Sequence, residues 1–151
     1  MSIHPIPALI LIASTVAIHA IGSVTFLRML AAYRPFWRRH PGFLGNALSF
    51  SWVVATLVGL HLAEIGVWAA YYSLRGLFAD LETSVYYSLC SYTTVGFGDV
   101  VLPREWRLLG TTEALVGILM TSWSVALLIA VVTAAHGEDL ARSTGKLPDG
   151  P

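Results

Sequence analysis

The sequence predicts an all-α membrane protein with three transmembrane helices and a short re-entrant helix between the second and the third. Of the 151 residues, 56% are hydrophobic and only 12% are charged, and the mean hydropathy is +0.68. A helix needs roughly 20 apolar residues to cross about 30 Å of hydrocarbon, and three stretches are long enough. Lipid offers no hydrogen-bond partners, so a single spanning segment must be helical.

The three predicted spans are about Ile6–Leu30, Leu48–Tyr72 and Leu108–Thr133. The segment Asp80–Val101 is too short and too polar to cross alone. It must re-enter the membrane or lie against protein. The sequence thus divides into an N-terminal helix with a basic linker (1–45), a domain that holds the other two spans and the segment between them (46–135), and a short polar tail that we expect to be disordered (136–151).

Basic residues in the first connection predict the orientation. Residues 28–42 contain four arginines and no acidic residue, and positively charged loops stay on the cytoplasmic side. The N-terminus and the segment Asp80–Val101 should therefore lie outside, and the C-terminus in the cytoplasm of a cell (inner) membrane protein. We expect Pro35 and the pair Pro41-Gly42 to break any helix in this connection.

Composition and spacing argue against several other classes. Nine basic residues balance nine acidic ones, so no net charge points to nucleic acid. Cys90 is the only cysteine, which excludes an intramolecular disulfide. The first apolar run is too long for a secretory signal. Its only arginine is Arg28, whereas a voltage sensor needs a row of arginines within the span. The tail is too short for a nucleotide- or calcium-binding domain.

The most informative stretch is TTVGFGD, residues 93–99. Successive carbonyls can point to one side only if the backbone alternates in handedness, and Gly96 and Gly98 permit left-handed values. Rings of such carbonyls can replace the hydration shell of K⁺. The predicted K⁺ ligands are the carbonyls of Thr94, Val95, Gly96 and Phe97.

The residues before this stretch predict a short helix that ends near Tyr92. Asp80, or alternatively Thr83, is a plausible N-cap, and Glu82 would lie in the first turn. Tyr86, Tyr87 and Tyr92 are expected to form an aromatic cuff around the filter. The negative end of this helix would favour a cation below the filter.

One loop cannot enclose a pore, so four copies around an axis are required. This predicts a homotetramer in the lipid bilayer, with heteromers left open.

The order outer helix, short helix, TTVGFGD, inner helix resembles the bacterial potassium-channel pore module over about Ser49–Ala135. The resemblance implies that residues Thr94 to Gly98 are the selectivity filter and that Asp99 lies behind its outer mouth. Phe97 replaces the commoner Tyr, and Cys90 stands where some members have a Glu that pairs with the residue matching Asp99. Asp99 should then bond Tyr87 or stay hydrated. The residues that we expect to support the filter are Thr93, Tyr87, Cys90, Asp99 and Glu113.

The third span carries candidates for the inner cavity and the gate. Gly117 serves close packing or acts as a hinge, with close packing the commoner reason. Met120, Thr121 and Ser122 fall where inner helices of the family face the cavity, and Thr121 is the polar residue expected to line it. Trp123 is expected to pack against neighbours, with plugging of the pore as the alternative. Glu113 lies inside the span and should hydrogen-bond the short helix from behind, near Tyr87 or Cys90. The alternative is that Glu113 tunes gating at the filter through its protonation.

His19, His61 and Glu64 form a possible polar cluster near mid-membrane. His61 and Glu64 are three residues apart and share a helix face. Hydrogen bonding between the two helices is the first interpretation, a proton-sensitive cluster the second, and a metal site the third. Apart from the permeant K⁺, no cofactor is expected.

These observations predict passive, K⁺-selective conduction. The alternatives are a weakly selective cation channel of the same fold, a non-conducting accessory subunit, and a membrane enzyme built on the histidine cluster. The sequence has no nucleophile elbow, phosphate-binding loop or HExxH helix, so an enzyme is not expected.

Overall fold

A computed structural model describes residues 5–38 and 43–143. All regular structure in these ranges is helical. It comprises α1 (Pro5–Arg38), α2 (Phe43–Leu74), the short α3 (Leu81–Tyr92), one 3₁₀ turn (Arg104–Trp106) and α4 (Arg107–Ser143).

Three of these helices are long and apolar enough to cross a membrane, as the sequence predicts. The qualifying stretches are Pro5–Ala32, Leu44–Leu74 and Arg104–Ala134. α3 packs between α2 and α4, and α1 packs against the same two long helices. The short helix is therefore held by the second and third spans, while the extra helix supports them from another side.

Two predicted boundaries are wrong. α1 continues past Pro35 to Arg38. A proline removes one backbone hydrogen bond and disfavours the helix locally, but only three residues of α1 follow it. α4 continues through residues 136–143, where we expected a disordered tail. The segment EDLAR in this stretch consists largely of good helix formers. Pro41, Gly42 and residues 144–151 lie outside the described residues.

The interior of the bundle is unusually polar. Its apolar core forms three clusters along the helices, centred on Trp68 and Tyr72, on Ile65 and Tyr92, and on Phe26 and Val53. Between them lie fully or almost fully buried polar side chains, namely Thr15, His19, Ser23, Glu64, Ser84, Ser88, Glu113 and Ser124. Many large apolar side chains instead face outward, as lipid requires.

Candidate functional site

The N-terminus of α3 is capped as predicted. Asp80 has extended backbone and accepts a hydrogen bond of 2.7 Å from the backbone N–H of Thr83. Asp80 is therefore the cap, and Thr83 is the residue it caps. This hydrogen bond lowers the pKa of the Asp80 carboxyl. Glu82 lies in the first turn, where its charge complements the positive helix end.

The C-terminus of α3 leads directly into the TVGFG stretch. The N–H of Thr93 donates to the carbonyl of Leu89, and the N–H of Thr94 donates to that of Ser91. Further along, the N–H of Gly96 donates to the carbonyl of Cys90 at 3.1 Å. The loop thus folds back against the last turn of the helix, and Cys90 contributes through its backbone.

The backbone of the TVGFG stretch takes left-handed values at every second residue. The φ angles are 61° at Thr94, 52° at Gly96 and 80° at Gly98. A β-branched residue rarely adopts positive φ because its Cβ crowds the backbone, so Thr94 is strained. Sequence reasoning identified the two glycines and missed the left-handed threonine. Carbonyls of successive residues can point to one side only if the backbone alternates in this way.

This stretch is open on the surface of the single chain. Residues 93–99 are all exposed, and the side chains of Val95 and Phe97 are 54% and 71% exposed. Next to it, a pocket of about 380 Å³ is lined by α3, the loop and α4. Its lining residues are Tyr92, Thr93, Thr94, Ile118, Thr121, Ser122 and Val125.

Three residues of α4 were expected to face an inner cavity, and two of them lie at this pocket of the single chain. Thr121 and Ser122 line it. Met120 does not, because it is buried against Ile65 and Tyr92 in the core. Successive helical residues point about 100° apart, so one of three consecutive side chains must turn away from the cavity. Trp123 is 42% exposed and packs one side against the His19 ring at 5.2 Å.

Gly117 lies where α4 touches the end of α3. A Cβ at this position would overlap the backbone carbonyl of Tyr92. The glycine therefore permits close approach of α4 to the residue before the TTVGFGD stretch. This geometry favours the close-packing interpretation over the hinge.

The carboxyl group of Glu113 contacts α3 from behind, next to Tyr87, as the sequence predicts. It is fully buried, 2.7 Å from the hydroxyl of Tyr72 and 2.5 Å from that of Ser88. The expected region was the part of α3 near Tyr87 or Cys90, and the bonding residue there is Ser88. Ser84, Ser88 and Tyr92 are the buried residues of α3, and their spacing of four was a signal that could have identified Ser88.

Asp99 is held by Tyr86, where the sequence suggested Tyr87. The Tyr86 hydroxyl donates a 2.7 Å hydrogen bond to Asp99 Oδ2, and this bond is the main cause that lowers the pKa of the Asp99 carboxyl. Tyr87 instead packs against the rings of Tyr72 and Phe78, at 5.4 and 4.9 Å. Within the single chain, each of the three tyrosines of α3 therefore contacts a different partner.

The predicted cluster of His19, His61 and Glu64 is present and includes Tyr92. His19 Nδ1 lies 2.8 Å from Glu64 Oε1, and the Tyr92 hydroxyl donates to Glu64 Oε2. His61 Nδ1 lies 2.9 Å from that hydroxyl. Because the Tyr92 proton goes to the carboxylate, His61 must be the donor to Tyr92. The network joins α1, α2 and the last residue of α3.

The family model described as ion channel matches residues 59–134. This range covers half of the chain and includes α3, the TVGFG stretch and most of α4. The chain belongs to the ion channel family. No curated protein and no solved structure matches it.

Because the chain belongs to the ion channel family and has three membrane-capable helices, it is a multi-pass membrane protein that takes part in ion transport. His61, Glu64 and Glu113 fall inside the matched range, whereas α1 with His19 lies before it. The ion channel family match therefore covers the helices around the TVGFG stretch. α1 is therefore a helix outside the matched range that packs against α2 and α4.

Proposed function

We propose that this protein is the subunit of a homotetrameric, K⁺-selective channel whose filter is formed by residues Thr94 to Gly98. The observation that carries the proposal is the alternation of left-handed φ at Thr94, Gly96 and Gly98. A chain with this alternation can direct consecutive carbonyls to one side, and four such strands supply rings of oxygens that replace the water around K⁺.

The exposure of the TVGFG stretch supports assembly. In one chain, Val95 and Phe97 are apolar, more than half exposed and next to a loop that cannot enclose an ion alone. A cyclic arrangement of four copies would cover these side chains with neighbouring subunits and turn the carbonyls to a shared axis. The pore helix would then be α3, re-entering between the outer helix α2 and the inner helix α4.

The pocket below the TVGFG stretch supports a cation-binding cavity. It lies at the C-terminal end of α3, where the helix dipole is negative. Thr121 and Ser122 give it hydroxyl groups from α4. In a tetramer, four such pockets would join into one aqueous vestibule on the inner side of the filter, and a K⁺ ion would wait there before it enters.

The supports behind the filter are proposed from their contacts. Tyr86 ties Asp99 to α3 near the outer mouth, and Glu113 ties α3 to Tyr72 of the outer helix. Thr93 closes the helix end through its hydroxyl, which donates to the carbonyl of Leu89 at 2.6 Å. The chain would lie in a cell membrane with the filter mouth outside and the C-terminus in the cytoplasm, as the arginines of the first connection favour.

The filter is tested by Gly96→Ala in liposomes that contain the purified protein. Both Gly96 and Gly76 have positive φ, 52° and 61°, and neither has an atom near its missing Cβ. Gly76→Ala is therefore a matched control with a similar backbone penalty outside the filter. We expect Gly96→Ala to abolish K⁺ flux and Gly76→Ala to retain it. Normal flux in the Gly96 variant would contradict the proposal.

A weakly selective cation channel is the second candidate, because the filter lacks the hydroxyl that a Tyr at position 97 would supply and because Asp99 has no carboxyl partner at Cys90. Reversal potentials in mixed K⁺ and Na⁺ separate the two. A potential that follows the K⁺ gradient supports the first proposal, and one near zero supports the second. Intact tetramers that pass neither ion would indicate a non-conducting subunit.

A further inference from the structure

We propose that His19, His61, Glu64 and Tyr92 form a binding site for a divalent transition metal, with Zn²⁺ as the ion that its donors fit best. The site lies inside the helix bundle and meets the pocket below the proposed filter at one residue, Tyr92, which also lines that pocket. It does not depend on the proposed K⁺ conduction, since metal binding is measured directly on the protein.

The donor atoms already converge. One ligand atom from each of His19, His61 and Glu64 lies within 4.8 Å of the others. Bonds of about 2.0–2.2 Å in a tetrahedron place neighbouring ligand atoms roughly 3.3–3.6 Å apart. The distances of 2.8 Å from His19 Nδ1 to Glu64 Oε1 and 3.7 Å from His61 Nδ1 to Glu64 Oε2 bracket this value. The two imidazoles face different oxygens of the Glu64 carboxylate, so an ion between them would contact one oxygen or both.

The donor types select the class of ion. Two imidazoles and a carboxylate suit Zn²⁺ and its first-row neighbours, whereas Mg²⁺ and Ca²⁺ prefer sites made of oxygen atoms alone. The Tyr92 hydroxyl, 2.9 Å from His61 Nδ1, is available as a fourth donor or as a hydrogen-bond donor to the ligating carboxylate.

The charge and hydrogen-bond balance of the unfilled site also favours a cation. Within the described residues, Glu64 forms no ion pair with Lys or Arg, although its side chain is fully buried. In the same part of the chain, His19 Nε2 is buried and has no hydrogen-bond partner. A metal at Nδ1 requires the ring proton to move to Nε2, so metal bonds would replace the hydrogen bond between His19 and Glu64.

Of the three ligand residues, His61 is the one with an exposed side chain in the single chain. The His61 side chain is 17% exposed, whereas those of His19 and Glu64 are fully buried. A bound ion would connect α1, α2 and α3 through a single centre. The ligand from α1 would thereby fix the extra helix to the two helices that the family shares.

The decisive measurement uses wild-type protein, purified without a histidine tag, in detergent. Co²⁺ serves as a spectroscopic substitute for Zn²⁺, and we expect a saturable visible absorption with one ion per chain. X-ray absorption of the Zn²⁺ form should show scattering from two imidazoles. Absence of a saturable Co²⁺ signal, or a Zn²⁺ spectrum without imidazole scattering, would overturn the proposal even if every variant failed to fold.

Variants then assign the ligands. His61→Ala and Glu64→Gln should each weaken Zn²⁺ binding by about tenfold or more, measured by calorimetry. Glu113→Gln is the matched control, because Glu113 is equally buried but bonds hydroxyl groups only, and it should bind Zn²⁺ like the wild type. His136→Ala controls for a histidine elsewhere in the sequence. Unchanged affinity in both ligand variants would place the metal elsewhere and refute the site.

Discussion

At the scale of single residues, the hydrogen bond from Tyr86 to Asp99 connects the mouth of the proposed filter to the middle of α3. The bond stabilises the ionised carboxyl, so the pKa of Asp99 is lowered. Its contribution is complete above the ordinary pKa of an aspartate and is lost as the pH falls through the lowered value. Neutral solutions therefore keep the bond intact.

Tyr86→Phe should move this acid limit upward. Without the hydroxyl, the pKa of Asp99 returns toward its ordinary value, and K⁺ flux should fail at a higher pH than in the wild type. Carbon NMR of the Asp99 carboxyl and liposome flux between pH 3 and 6 measure the two effects. Tyr87→Phe is the control, because that ring faces Tyr72 and Phe78. An equal shift in both variants would contradict the assigned partner.

At the scale of helices, the contact between α3 and α4 depends on one missing side chain. Gly117→Ala would force a Cβ into the backbone carbonyl of Tyr92, and a carbonyl in a helix cannot move as a side-chain tip can. We expect a loss of about 1–3 kcal/mol of stability, which is typical of overpacking, measured as a lower Tm. Gly66→Ala meets nothing within 4 Å and should leave the Tm unchanged or raise it.

The pair of glycine variants also decides between two roles for Gly117. A hinge would give a Gly117→Ala protein with normal Tm and an altered fraction of open channels. Close packing gives a lower Tm. Normal stability of Gly117→Ala would therefore exclude the role that the structure favours.

A second connection between helices passes through Tyr92. Its hydroxyl donates to Glu64 and lies 2.9 Å from His61 Nδ1, so it joins the end of α3 to α2 and, through His19, to α1. Tyr92→Phe would leave a buried carboxylate with one donor fewer. We expect a loss of about 1–3 kcal/mol in thermal unfolding, together with a changed K⁺/Na⁺ reversal potential. Unchanged values for both would show that the extra helix is not coupled to the filter.

At the scale of the whole molecule, the sequence alone was sufficient to predict the features that the membrane imposes. The three spans follow from length and hydropathy, because lipid tolerates only long apolar helices. The cap at Asp80 followed from local chemistry that acts within one turn. Pro35 was misjudged because a proline near a helix end removes only one hydrogen bond of many.

Partner choice among polar side chains was harder to predict. Glu113 bonds Ser88, and Asp99 bonds Tyr86, because each choice depends on the rotation of α3 against its neighbours. Adjacent residues such as Tyr86 and Tyr87 differ by about 100° around the helix, so a small error in rotation exchanges their partners. The cluster of His19 and Glu64 was found from depth in the membrane alone, whereas its link to Tyr92 required the packing of three helices.

The proposed assembly is tested most directly by measuring how the flux falls when wild-type and defective chains are mixed, because this fall depends on the number of subunits. If every copy contributes one strand to the filter, one defective strand should stop conduction. Wild-type and Gly96→Ala chains mixed in equal amounts would then leave about one-sixteenth of the flux for a tetramer and about one-quarter for a dimer. Liposome flux per chain measures this fraction, and a mixture with Gly76→Ala controls for mixing. A fall to one-half would mean that each chain conducts alone, which a filter shared by four copies does not allow.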